Sequence, residues 1–267
     1  MIGIVNLLLA ASISTFPRPD ADMPHFSESA ASVDNALAGY VNPAGLAPQS
    51  VMAFRYMHAF TDTTFKGDDG VMLATHGVFV SLEWLNHTND IFRRKYLMAS
   101  GTRLFKDFYW GLSYAWFGAA SEVYRKKQVF KLGFQYIPSR NLAFGLVVDD
   151  LNRPRFGDFQ SDRLYTLAAA VFTKQKEIMF SIDAFVDEGQ GFSRSNALFR
   201  IEVRPSSKFV LAGDYRTEGF LRIGVRYLLE YIDVGIVGQF FESDLKGGTI
   251  HYSQGPVPIK RGGSGVY

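Results

Sequence analysis

The side chains with the most obvious chemical reach are five histidines, His25, His58, His76, His87 and His251. None belongs to an H-E-x-x-H pair, and none has carboxylates at the close spacing of a metal-ligand set. They read as ordinary polar positions. Two acidic glycine stretches, "KGDDG" and "DEGQG", offer oxygens to Ca²⁺ but lack the twelve-residue spacing of an EF-hand, and read as solvated loops. "GGSG" at 262–265 is no nucleophile elbow, because no strand-then-helix surrounds it. The absence of cysteine removes disulfides, thiolate chemistry and Cys-ligated zinc together. The expectation is a non-enzyme with no cofactor and no metal.

What remains is charge at alternate positions. Arg200, Glu202 and Arg204 alternate with Ala197, Phe199, Ile201 and Val203. Asp214 stands opposite the face of Phe209, Leu211 and Tyr215. Arg222 and Arg226 alternate with Leu221, Ile223, Val225, Tyr227 and Leu229. A period of two is the signature of a strand with one apolar and one polar face. The short turns "PSSK" and "TEG" align three such strands, placing Asp214 opposite or nearly opposite Arg222 and diagonally near Arg200. The chemistry is ion pairing: a charge ladder of Arg200, Glu202, Arg204, Asp214, Arg222 and Arg226 with Asp214 at its centre. The alternative is a wide, watery interior in which these are screened side chains.

The elements that must carry such a ladder recur along the chain. Alternating segments stand at 51–60, 71–85, 92–104, 108–118, 128–137, 141–149, 163–173, 177–186, 196–204, 208–216, 219–229, 231–241 and, weakly, 247–253. Most are near the 9–11 residues that cross a bilayer at a tilt. A soluble sandwich and a membrane barrel share this pattern, with the apolar face turned inward or outward. Aromatics near strand ends (Phe108, Trp110, Tyr114, Trp116; Tyr227, Tyr231; Phe240, Phe241) favour the barrel. So do Gly111, Ser113 and Ala115 on the polar face, where strands crowd a lumen. Thirteen segments make an odd count, and the long-loop parity slips between the two halves. One strand is therefore missed or merged, with 71–85 the place for it, and fourteen are expected. The fold class is a closed antiparallel transmembrane β-barrel over 50–253.

Composition agrees. Apolar residues make up 47% of the chain and aromatics 15%, with 24 Phe and 13 Tyr, yet mean hydropathy is zero. The formal charge of +2 argues against nucleic acid as a partner. "MIGIVNLLLAASIST" has the length and small-residue end of a secretory leader over 1–14, without the basic n-region; a short buried apolar segment is the alternative. Export places the chain in the bacterial outer membrane. There the glycosylation sequon "NHT" carries no meaning.

One stretch ahead of the first strand, "DNALAGYVNPAGLA" (34–47), carries a small-residue run and then Asn42, Pro43, Ala44 and Gly45. Asn before Pro starts turns, and Gly45 accommodates a positive φ. This segment resembles the one preceding the first strand in the fatty-acid-transporter superfamily of outer-membrane barrels, which includes the related type IX secretion barrel. "LAFGLVVDDLNRPRFG" (142–157) is similar to a strand-plus-loop of those families. The usual "RALGMGGA" run is represented here only by "FSESAASV". The resemblance implies fourteen strands and an N-terminal hatch, here 24–49, folded into the lumen, with Asn42 to Gly45 as the turn between hatch and barrel. An ordinary surface turn is the alternative. Three functions follow: a channel or transporter for small hydrophobic molecules; a scaffold barrel binding a periplasmic or secretion partner; or, from the Gly/Pro-rich tail 254–267, the membrane module of a longer chain. Outer-membrane lipid is a partner under all three.

Overall fold

A computed structural model describes residues 28–49, 52–61, 67–87, 91–119, 127–156, 159–173, 175, 177–189, 191–217, 219–229, 232–241 and 244–254. The expected leader, the first hatch residues 24–27 and the tail beyond Gln254 lie outside the described residues.

Among the described residues, sixteen strands follow a short helical segment. They are β1 (Ala53–Thr61), β2 (Gly67–Thr75), β3 (Val78–His87), β4 (Ile91–Phe105), β5 (Phe108–Ala119), β6 (Gln128–Ser139), β7 (Leu142–Asp149), β8 (Arg155–Phe156), β9 (Phe159–Gln160), β10 (Leu164–Phe172), β11 (Ile178–Asp187), β12 (Gly191–Ser206), β13 (Phe209–Arg216), β14 (Phe220–Leu228), β15 (Ile232–Phe241) and β16 (Asp244–Gln254). β8 and β9 pair only with each other, in the β7–β10 connection. The other fourteen form one antiparallel ring, closed because β1 pairs with both β2 and β16. Closure leaves no edge in the ring, so each of its fourteen strands has a hydrogen-bonded neighbour on both sides.

The segment read as one strand over 71–85 is two, turned at His76-Gly77, where Gly77 takes φ 71°. The second expectation to fall is that "KGDDG" is a loop: Gly67 to Gly70 belong to β2. "DEGQG" is not wholly loop either, since β11 runs to Asp187 and the sixteen-residue β12 begins at Gly191. The weak 247–253 segment is the full closing strand β16.

Alternation places the apolar face outward. One exterior row runs Phe54, Leu73, Val80, Met98, Tyr114 and Phe130 across six consecutive strands, and the next holds Tyr56, Val71, Leu82, Tyr96 and Trp116. Phe199, Ile201, Leu211, Ile223 and Ile236 are exposed on the far side. Aromatics group at two heights. Phe105 stacks on Phe108 near the β4–β5 turn, while Trp116 stacks on Tyr96 and Tyr114. Phe108 and Trp116 are eight residues apart on β5, about 26 Å along the strand and about 20 Å along the barrel axis at a tilt of roughly 40°. That height falls a little short of the roughly 25 Å apolar band of a membrane barrel.

Candidate functional site

The interior is occupied by the chain's own residues 28–49. This segment has little secondary structure: one helical turn, α1 (Ala38–Val41), then a 3₁₀ turn over Pro43–Leu46. A four-residue helix cannot hold itself together in water. Packing holds it, because Ala31, Val33, Leu37, Ala38, Ala44 and Leu46 are all wholly buried.

The barrel wall is shaped to receive the turn. Gly101, Gly111 and Gly133 are register partners on β4, β5 and β6, and so make an inward-facing row of bare backbone. A Cβ on Gly101 would lie 2.4 Å from the Pro43 carbonyl oxygen, on Gly111 2.4 Å from its carbonyl carbon, and on Gly133 2.1 Å from the Asn42 side chain. One level along, a Cβ on Gly145 of β7 would meet the Ala30 carbonyl at 2.4 Å. Glycine is used here for close approach of two backbones.

The four residues singled out for the turn sit together on that row. Asn42 donates from Nδ2 to the carbonyls of Ala30 (2.7 Å) and Phe134 (2.9 Å), and accepts from the Ala44 amide at 3.1 Å. It thus ties the segment to itself and to β6. Pro43 opens the 3₁₀ turn, where its missing N–H costs nothing. Gly45 does not take the positive φ expected of it: the left-handed glycines among the described residues are Gly77 and Gly219. Its lack of a side chain is needed for space, since a Cβ would fall 2.1 Å from the Val33 carbonyl.

Around the seat the lumen has an apolar side and a charged side. Leu37, Tyr40 and Leu46 pack with Met57, Met72, Phe79, Leu97 and Phe117. Buried among them, the Tyr40 hydroxyl reaches Ser81 Oγ (2.6 Å) and donates to Glu83, whose carboxylate faces Lys95 Nζ at 3.5 Å. Lys131 donates to the Tyr40 carbonyl and pairs with Asp149 at 2.9 Å. Gln135 donates to the carbonyls of Ala31 and Val33.

The charged side brings all six residues of the expected ladder into one region, with a different centre. Asp214 is the direct register partner of both Arg200 and Arg222, not diagonal to Arg200. It accepts from Arg222 Nε at 2.7 Å. The guanidiniums gather on Glu202 instead: Arg200 at 3.0 Å, Arg204 at 2.9 Å and Arg226 at 3.1 Å. Arg226 continues the network to Glu28 at 3.6 Å and Asp233 at 3.9 Å, and Asp233 meets Arg55 at 3.7 Å. Asp183 accepts from Ser29 Oγ (2.6 Å) and the Ala30 amide (2.9 Å). Sequence reasoning missed Glu28, Tyr40, Arg55, Glu83, Lys95, Asp183 and Asp233. For those on strands the parity of alternation was a usable signal, since each stands on the inward face. Among the described residues no group of three or more His, Asp or Glu is placed to hold a metal ion.

No protein-family model matches the chain, and no curated protein matches it in sequence. Solved structures do. The toluene transporter TbuX of Ralstonia pickettii superposes with a TM-score of 0.54 at 12% identity, over 92% of this chain and all of that one. CymD, a monoaromatic hydrocarbon channel, gives 0.52 at 10% identity over 85% and 94% of the two chains. The outer-membrane protein Omp33 of Acinetobacter baumannii gives 0.51 at 8%, over 77% and 96%. The fold is that of an outer-membrane β-barrel. At these identities the likeness is one of architecture and carries no residue roles.

Proposed function

We propose that the chain is an outer-membrane β-barrel channel closed in its resting form by residues 28–49 acting as a hatch. The observation that carries this is the keyed fit of the Asn42–Gly45 turn into the Gly101–Gly111–Gly133 row, which fills the lumen with the chain's own backbone. The apolar exterior rows and paired aromatic belts support residence in the outer membrane, with lipid as the partner of that surface. Membership of the fatty-acid-transporter superfamily is part of this reading, supported by the position of the turn ahead of β1. Small hydrophobic molecules are the proposed cargo. The hydrocarbon and toluene neighbours and the apolar side of the lumen support that choice. In planar bilayers the intact protein should conduct poorly, and deletion of 28–41 should raise single-channel conductance. Equal conductance would overturn the hatch.

One observation favours the scaffold reading: the charged side is knitted by ion pairs, so no continuous greasy conduit crosses the lumen. A scaffold barrel would co-purify with a periplasmic or secretion partner in mild detergent and take up no apolar aromatic solute into proteoliposomes.

A further inference from the structure

We infer that the hatch does not leave as a unit: it stays on the β3–β10 wall as a fixed liner, and passage opens on its other side, where Glu28, Ser29 and Ala30 clasp the β11–β15 wall. This rests on the hatch reading and concerns where the hatch parts from the barrel.

The two sides of the segment are held by different physics. On the β3–β10 side a steric and apolar fit is reinforced by buried polar contacts, of the Tyr40 hydroxyl with Ser81 and Glu83 and of Lys131 and Gln135 with hatch carbonyls. Backbone carbonyls of Ala30 and Pro43 lie where side chains would be if Gly145, Gly101 and Gly111 carried any. Leu37, Tyr40 and Leu46 are buried against Phe79, Leu97 and Phe117, and Ala30 and Ala31 against Ala143, Val147, Ala168 and Ala170. Separating these surfaces exposes apolar area, and water that enters can hydrate the freed Asn42 and Gln135 groups but cannot repay that exposure.

On the other side the contacts are polar. Ser29 Oγ and the Ala30 amide meet the Asp183 carboxylate, and Glu28 meets Arg226 at 3.6 Å. These groups can be hydrated as they part, so water replaces the contacts without exposing apolar surface. Arg226 is not orphaned by release of Glu28, because Glu202 at 3.1 Å and Asp233 at 3.9 Å stay on it. A crescent between hatch and wall would be lined by Arg55, Asp183, Arg200, Glu202, Arg226 and Asp233. That lining passes water and small hydrophilic ions and not the apolar cargo proposed above, so opening here is an ion path that potassium chloride reads.

The test is the double variant Glu28→Gln/Ser29→Ala, which alters the hatch and leaves the barrel sequence intact. Single-channel conductance in potassium chloride is measured alongside hydrogen exchange of the amides of 40–47, and deletion of 28–49 is run beside it. A several-fold rise in conductance with wild-type protection at 40–47 is the expected result. Conductance at the wild-type level would overturn the clasp, and a rise accompanied by lost protection at 40–47 would show the hatch leaving whole. If the deletion also fails to conduct, the channel reading itself fails, and this inference with it.

Discussion

Gly111→Ala probes the seat with one added methyl group. Built on the native backbone, the new Cβ lies 2.4 Å from the Pro43 carbonyl carbon, 2.5 Å from its oxygen and 2.6 Å from the Ala44 nitrogen, all backbone atoms that no rotamer change can move. Ordinary contact begins near 3.4 Å, so the turn must retreat by about 1 Å. The Asn42 bond to the Phe134 carbonyl, now 2.9 Å, would then stretch beyond hydrogen-bonding reach. Overpacking costs roughly 1–3 kcal/mol and a lost buried hydrogen bond about 1 kcal/mol or more. A penalty of roughly 3 kcal/mol shifts seating about a hundredfold. Gly213→Ala is the control: it is also a strand glycine, but its Cβ meets nothing closer than 3.9 Å. Conductance and proteolytic release of 28–49 are the assays. The alanine at 111 should raise both and the one at 213 neither. Wild-type behaviour at 111 would refute the keyed seat.

Glu202→Ala leaves three guanidiniums facing one another and should cost about 3–5 kcal/mol, whereas Asp214→Ala deprives only Arg222 of its 2.7 Å bond. Thermal unfolding in detergent should therefore fall clearly further for Glu202→Ala than for Asp214→Ala, with lipid-facing Ile223→Ala as control; the reverse order would restore Asp214 as the centre. Tyr40→Phe removes the hydroxyl shared by Ser81 and Glu83 and should loosen α1 by roughly 1–3 kcal/mol, read as faster exchange of its amides. Gly77→Ala adds a Cβ at φ 71°, 2.8 Å from the Gly101 carbonyl, and should cost at least about 1–2 kcal/mol in the same unfolding assay.

The strands were legible because each has one lipid-sized apolar face, and period two survives any change in the rest of the molecule. The merged 71–85 segment did carry its own signal. Outward positions run Val71, Leu73, Thr75 and then Val78, Val80, Leu82, a switch from odd to even numbers that a two-residue turn at His76-Gly77 produces. Register also placed Asp214 opposite Arg222. It did not identify Glu202 as the hub, because that depends on reach: Glu202 sits two residues from both Arg200 and Arg204 on one strand and is a methylene longer than aspartate. The occupants of the lumen were least accessible. Ser29 finds Asp183 across 154 residues of chain, and nothing local in "FSESAASV" names that partner. The glycines of the seat were visible as small residues on the polar face. That they form a row became apparent only with the register of β4, β5 and β6.

The central claim, that the lumen is filled by residues 28–49, can be tested without altering a single side chain. Hydrogen exchange of the native protein in detergent reports on the amides of 28–49, which contain one four-residue helix and one 3₁₀ turn. Alone in water such a segment cannot protect itself, and its amides would exchange as an unstructured chain. Seated in the barrel, the hydrogen-bonded amides of Val33, Tyr40, Val41, Asn42, Ala44, Gly45 and Ala47 should resist exchange on the timescale of the neighbouring strands β4 to β6. Exchange of this segment within seconds, while those strands stay protected, would contradict the account.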